Sequence, residues 1–167
     1  NISSQLNFDC SVNVENITNL NDTIFRKCKS RQCDLCCMFN PTDSFKSTTT
    51  HRVYKAKVPD NIKIVDCNTL NCIYLITCSV CNLQYVGETV QRVKDRFNTH
   101  RRCMKNPNKD NSANILCKHF NSGICKRATY SVQVIEVFNG SGRDQNNNVD
   151  KAATNTRRER ETELMLK

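Results

Sequence analysis

The chain has 167 residues, with 25 Lys and Arg against 16 Asp and Glu, and carries a formal net charge of +9 with His neutral. That length fits one full domain with a small satellite and excludes two large cores. No run approaches the ~20 apolar residues of a membrane span, so no membrane partner is expected, and the positive field points to a polyanion, nucleic acid being the commoner one.

Residues 1–27 are Asn-rich and weakly patterned, and are expected as a polar extension. Residues 28–70 form a basic, cysteine-bearing segment with too little apolar content to fold alone, so a metal is expected to hold it. Within it VYKAKV and NIKIV alternate like short strands. Residues 71–167 hold the main domain. There IYLITC and CNLQYV read as an antiparallel hairpin, followed by a helix from near Val90 and the polar loop MKNPNKDNSAN. A short helix at ILCKHF, a strand at YSVQVIEVF, the long polar loop NGSGRDQNNNVDKAATNT and a last helix in RRERETELMLK complete the chain. The fold class is α+β: a small antiparallel, three-stranded sheet flanked by helices, with a zinc-held N-terminal segment.

Twelve cysteines fit either a disulfide framework in a secreted protein or thiolate metal sites in a reducing compartment. Three sequons, at Asn16, Asn21 and Asn139, and the even count speak for the first. The clustering as Cys28-x4-Cys33-x2-Cys36 and Cys78-x2-Cys81 speaks for the second, because knuckle spacings suit tetrahedral zinc better than long-range cross-links. For Cys28, Cys33 and Cys36 the fourth ligand is sought among Cys67, Cys37 and His51. Cys67 fits best, since it precedes the hairpin and would tie the basic segment to the main domain. Cys10, Cys72, Cys103 and Cys117 are left as free thiols or core fillers.

A two-residue turn at Ser79-Val80 would set Cys78 opposite Cys81 and Tyr74 opposite Tyr85, with all four side chains on one side of the sheet. Tyrosine pairs are common sheet packing, so this alone carries no chemistry. In the following helix Val90, Val93 and Phe97 recur at helical spacing, while Arg92, Arg96 and His100 share another face. Such a polar stripe is usually solvated surface, but this one starts directly after Gly87-Glu88-Thr89, beside the tyrosines.

Tyr74 in Cys-Ile-Tyr, Tyr85 in Tyr-Val-Gly, and Arg96 with His100 four residues on resemble the signature of the GIY-YIG nucleases. YVGET with R-x-x-x-H is most similar to the endonuclease domain of Penelope-like retroelements, which also carries a Cys-x-x-Cys between the two tyrosine motifs. The resemblance covers about residues 28–167. It implies a DNA endonuclease that hydrolyses phosphodiesters with one divalent cation, Mg²⁺ or Mn²⁺, and needs no small-molecule cofactor. Glu161 would match the family's metal-binding glutamate, with Glu159 and Glu163 as rivals on the same helix, and a carboxylate suits a hard cation that keeps its waters. Arg96 would brace the scissile phosphate. Tyr74, Tyr85 and His100 would position or deprotonate the attacking water, either as a phenolate favoured by metal and Arg96 or with His100 taking the proton.

The family's downstream His-x5-His pair is matched here by His119 and Cys125, which would complete a structural zinc site with Cys78 and Cys81; Cys28, Cys33, Cys36 and Cys67 would form a second. Arg26, Lys27, Lys29, Arg31, Arg101, Arg102 and Lys105 are expected to contact DNA through its phosphates, with low sequence specificity. The resemblance further implies an upstream reverse transcriptase region, the element's RNA as a partner, and a nuclear location. Two departures stand out. Cys72 replaces the first motif's glycine, and the family's terminal asparagine would lie beyond Lys167, which implies a truncated C-terminus. A catalytically inactive zinc- and DNA-binding module of the same fold, and a secreted disulfide-rich binder, are the alternatives.

Overall fold

CIYLITC is apolar at consecutive rather than alternate positions, the mark of a strand covered on both faces. The computed structural model of the chain describes residues 18–20, 22–105, 115–121, 123–125 and 129–165. Its elements are β1 (Thr18–Leu20), β2 (Thr23–Phe25), β3 (Ser44–Lys46), β4 (Val53–Lys55), β5 (Ile64–Val65), β6 (Cys72–Cys78), β7 (Gln84–Thr89), α1 (Val93–Lys105), α2 (Ile115–Asn121), a 3₁₀ turn at Gly123–Cys125, β8 (Tyr130–Val137) and α3 (Lys151–Met165). CIYLITC is β6, the centre of an antiparallel sheet in the order β7-β6-β8.

The two faces of β6 belong to different cores. Tyr74, Ile76 and Cys78 point to one side, where Val93 and Phe97 of α1, Leu116 and Phe120 of α2, and Val132 and Val134 of β8 close over them. Ile73 and Leu75 point to the other, where Ile135, Val86, Phe45 and Leu164 of α3 meet them. The sheet is thus a layer with α1 and α2 on one face and α3 on the other, the architecture that the hydrophobic pattern predicts.

The hairpin register differs from the expected one. Tyr74 lies opposite Gly87 and Ile76 opposite Tyr85. The turn is four residues, not two: the Cys78 N–H donates to the Leu83 carbonyl at 3.0 Å, the Asn82 N–H to the Cys78 carbonyl at 3.0 Å, and Asn82 takes a φ of 60°. Within the turn the Leu83 N–H also meets the Cys81 sulfur at 3.5 Å. Because the slip is two residues, parity is preserved and the two tyrosines still share a face.

Gly87 has a steric role. A Cβ placed there would sit 2.5 Å from Cζ and from the hydroxyl oxygen of Tyr74. The missing side chain is the space in which the Tyr74 ring lies, so its hydroxyl reaches across β7 toward α1.

The described part of the N-terminal segment, residues 18–20 and 22–27, is built into the fold. β2 runs parallel to β5 and antiparallel to β1, inside the stretch expected as an extension, and Thr23 and Phe25 are buried. VYKAKV and NIKIV contribute only the short strands β4 and β5, neither within the central sheet. Residues 38–40 instead run along the outer edge of β8, through Val132 N–H to the Met38 carbonyl at 2.8 Å and Asn40 N–H to the Val132 carbonyl at 2.7 Å. Lys57 continues that edge, donating to the Ile135 carbonyl at 3.0 Å and accepting from Val137 N–H at 2.8 Å.

The last helix begins at Lys151, six residues before the expected start. Asp150 explains the shift: its Oδ1 accepts the N–H of Ala152 at 2.8 Å and of Ala153 at 3.3 Å, an N-cap that the Asn- and Thr-rich composition hides. Cys103 and Cys117, read as free thiols or fillers, are joined in a disulfide that links α1 to α2 across a Cα separation of 5.9 Å. Cys72 is a buried filler; Cys10 lies outside the described residues.

Gly87→Ala is expected to destabilise the fold by about 1–3 kcal/mol, the range for overpacking, because the added methyl must displace the Tyr74 ring or part β6 from β7. Urea unfolding followed by circular dichroism measures it; an unchanged midpoint would show that the ring has another place to go.

Candidate active site

α1 is aimed by backbone. Its first N–H groups find carbonyls of the segment leading into β6, Val93 N–H that of Thr69 and Lys94 N–H that of Cys67, each at 3.0 Å. With Val93 and Phe97 packed on the sheet, Arg96 and His100 fall one turn apart on the flank facing Tyr74. The Tyr74 hydroxyl lies 2.6 Å from His100 Nε2, and Arg96 Nε donates to the same oxygen at 3.3 Å. Tyr85 sets its ring edge-on to His100, with centroids 5.9 Å apart.

Protonation states follow from burial. His100 is 1% exposed; desolvation, and secondarily the Arg96 charge, push it down from 6.5 to about 4, so it is neutral at pH 7. Desolvation likewise drives Tyr74 well above the ordinary phenol range despite Arg96. Tyr74 is therefore a phenol that donates to His100, and the bond requires the tautomer with a lone pair on Nε2. Tyr85 is raised by burial, then by the Glu161 charge.

Glu161 approaches from α3. Its carboxylate is raised by desolvation and by the Glu88 charge, with Arg96 and Arg158 opposing. Its field is felt at Tyr85. Tyr74, Tyr85, Arg96, His100 and Glu161 thus gather at the β7 side of the sheet, drawn from four elements. A half-buried carboxylate between a phenol and a guanidinium is a chemically suitable oxygen donor for a hard divalent cation.

Two groups of soft ligands also converge. The sulfurs of Cys28, Cys33, Cys36 and Cys67 lie within 4.8 Å of one another, and so do the ligand atoms of Cys78, Cys81, His119 and Cys125. Cys28 and Cys36 sulfurs are 3.3 Å apart, Cys36 and Cys67 3.6 Å, and Cys81 is 3.6 Å from His119 Nε2. Tetrahedral zinc with its usual bonds sets sulfurs roughly 3.7 Å apart, so both groups fit zinc-type coordination. Burial raises Cys78, but the backbone of Cys81 and Val80 and the His119 ring outweigh it and bring the thiol to about 6. Burial pushes Cys36 up to about 12. Four neighbouring thiols cannot all ionise unaided, which is the arrangement a dication relieves. Cys67 takes the fourth place in the first group; Cys37 is disulfide-bonded, and His51 stands in an exposed turn.

The basic residues are less uniform. Lys27, Lys29 and Arg31 are exposed around the first thiol group and Arg102 on α1, whereas Arg26 is half-buried with an Nε lacking a partner. Arg101 pairs with Asp34, tying α1 to the first thiol segment. The side chain of Lys105 lies outside those described. Sequence reasoning passed over Arg157, Asn71 and Glu88. Arg157 is buried, and only its place one turn before Glu161 could have flagged it.

A family model of the GIY-YIG catalytic domain matches residues 70–140. That stretch holds Tyr74, Tyr85, Arg96, His100 and the whole second ligand group, and it ends before α3 and Glu161. The chain therefore contains a GIY-YIG catalytic domain, the domain of a nuclease family. No curated protein and no solved structure matches the chain. Eight cysteines are free thiols among the described residues, seven of them in the two ligand groups, which is not the pattern of a disulfide framework. No described helix is long and apolar enough to cross a membrane.

Chain purified in zinc should carry about two zinc equivalents by mass spectrometry or atomic absorption, and Cys67→Ser and Cys125→Ser about one each. Loss of both equivalents from either variant would mean that the groups do not bind independently. His100 makes a separate prediction. It is neutral in the fold but binds a proton in the unfolded chain, so its contribution is full above pH 6.5 and is lost as pH falls toward 4. Between pH 7 and 4.5 the wild type should lose roughly 2 kcal/mol more than His100→Gln, judged by urea midpoints; parallel curves would refute a buried neutral imidazole.

Proposed function

We propose that the chain is a metal-dependent DNA endonuclease, the endonuclease part of a Penelope-like retroelement protein whose reverse transcriptase lies upstream, and that it nicks target DNA in the nucleus. The observation that carries the nuclease reading is the chain of hydrogen bonds from Arg96 through the Tyr74 hydroxyl to His100 Nε2. The retroelement context, the element's RNA as a partner and the nuclear location rest on the YVGET and Cys-x-x-Cys likeness.

A cation held by Glu161, Mg²⁺ or Mn²⁺, would supply Lewis acidity toward the phosphate oxygens. The rest is the chain's own work. Arg96, with guanidinium N–H groups beyond the one given to Tyr74, braces the scissile phosphate and balances the charge that builds on its oxygens. As a water attacks phosphorus, its proton passes to the Tyr74 oxygen while the Tyr74 proton passes to His100 Nε2. No free phenolate is required, which removes the difficulty of a buried phenol acting as a base. The leaving oxygen departs with the electron pair of the broken P–O bond and is protonated from solvent. Tyr85, half-buried beside Glu161, orients the water. Exposed Lys27, Lys29, Arg31 and Arg102 supply phosphate contacts that weaken with salt. Zinc in the two cysteine groups is structural.

One observation favours the inactive-module alternative: Tyr74 is 2% exposed, so its hydroxyl is shielded from substrate as well as from water. Supercoiled plasmid with Mg²⁺ separates the readings. The wild type should nick it, Glu161→Ala and Tyr74→Phe should be slower by about 10²-fold or more, and EDTA should stop the reaction. Equal inertness of wild type and Glu161→Ala would establish the inactive module.

A further inference from the structure

α3 carries the acid of the proposed site but lacks the usual means of fixing its own rotation. Among its described residues only Arg157 is buried, and only Leu164 joins the apolar core beneath it. A helix without an apolar stripe can turn about its axis at little cost, and a turn would swing Glu161 away. Polar groups must set the angle: Arg160, whose Nε donates to Glu136 Oε2 on β8 at 2.7 Å, and the more deeply buried Arg157, which lies nearer the site.

Arg157 is 1% exposed and spends its guanidinium on three partners from three places in the chain. Nε donates to Glu88 Oε2 on β7 at 2.9 Å, one terminal nitrogen to Asn71 Oδ1 at 2.6 Å, and the other to Thr154 Oγ1 at 2.9 Å. Asn71 is itself fixed. It is buried, takes a φ of 49°, and its amide nitrogen donates to the carbonyls of Phe138, Asn139 and Gly140. Gly142 leaves the room, since a Cβ there would stand 2.8 Å from Asn71 Oδ1 and 3.0 Å from the guanidinium. Glu88 is the hub: its carboxylate holds Arg157 at 2.9 Å and lies close enough to Glu161, one turn further along α3, for its charge to be felt there.

We propose that Arg157 is a positioning residue for the cation site, acting through Glu88 and Asn71 to set the rotation of α3 and so the place of the Glu161 carboxylate. The inference rests on the reading of Glu161 as the cation's ligand. The bland alternative is an ion pair that merely adds stability.

The test uses the zinc-loaded chain and two readouts: Mn²⁺ affinity by electron paramagnetic resonance, and the Mg²⁺ concentration for half-maximal plasmid nicking. Arg157→Lys keeps the charge but cannot reach three partners at once. It should bind Mn²⁺ about 10-fold more weakly and need about 10-fold more Mg²⁺, with most of the rate recovered at saturation, as for loss of a residue that orients a metal ligand. Helical circular dichroism and zinc content should not change. Should Arg157→Lys fail to fold, Glu88→Gln, which keeps shape and removes the paired charge, should show the same shift. A lowered rate at every Mg²⁺ concentration with unmoved half-saturation and Mn²⁺ affinity would overturn the positioning role and leave the nuclease reading standing. Mn²⁺ binding lost in Glu161→Ala and weakened in Arg157→Lys, without nicking by wild type, would uphold the positioning role and overturn the nuclease reading. No Mn²⁺ binding by wild type would overturn both.

Discussion

The ring of Tyr74 lies against a strand that has no side chain at position 87, and much of the molecule is arranged around that contact. It lets a phenol from the central strand cross beneath β7 and present its oxygen to α1. Once there, the oxygen is shielded from water, so it stays protonated and must be satisfied by protein groups. Arg96 and His100 do this from one helix flank, and that flank is in register only because the 67–69 backbone caps the first turn of α1.

The two thiol groups act on the same frame from either side. The first joins the segment after β2 to Cys67, whose carbonyl caps α1; the second joins the turn of the β6–β7 hairpin to α2. Each links stretches of chain with little apolar surface of their own. In a chain of this size, an ion bound at either group would replace core that the sequence does not contain.

How much was legible follows from how local each determinant is. Ligand spacings and the Tyr, Arg and His motifs are short-range patterns on regular elements, so the ligand groupings and the tyrosine face could be read directly. Even Cys67, remote from its partners, was found from its place before the hairpin. The register was not legible, because the turn length is set by backbone bonds between Cys78 and residues 82–83 that close through a left-handed Asn82, which the composition does not announce. The start of α3 was hidden because one capping carboxylate outweighs several residues of poor helix propensity. Arg157 was invisible for a different reason. In RRERE it looks like any solvated charge, and only the fold gives it Glu88 and Asn71.

The cover on the central sheet carries a further consequence. A three-stranded sheet has two rims of unsatisfied peptide groups, each a template for a foreign strand. On β8 that rim is closed by Met38, Asn40 and Lys57, and the first two follow directly on the cysteines of the first ligand group. With an ion bound at that group, stripping it would therefore do more than loosen a tail: it would uncover a pairing edge, and the damage would surface as chains sticking to one another.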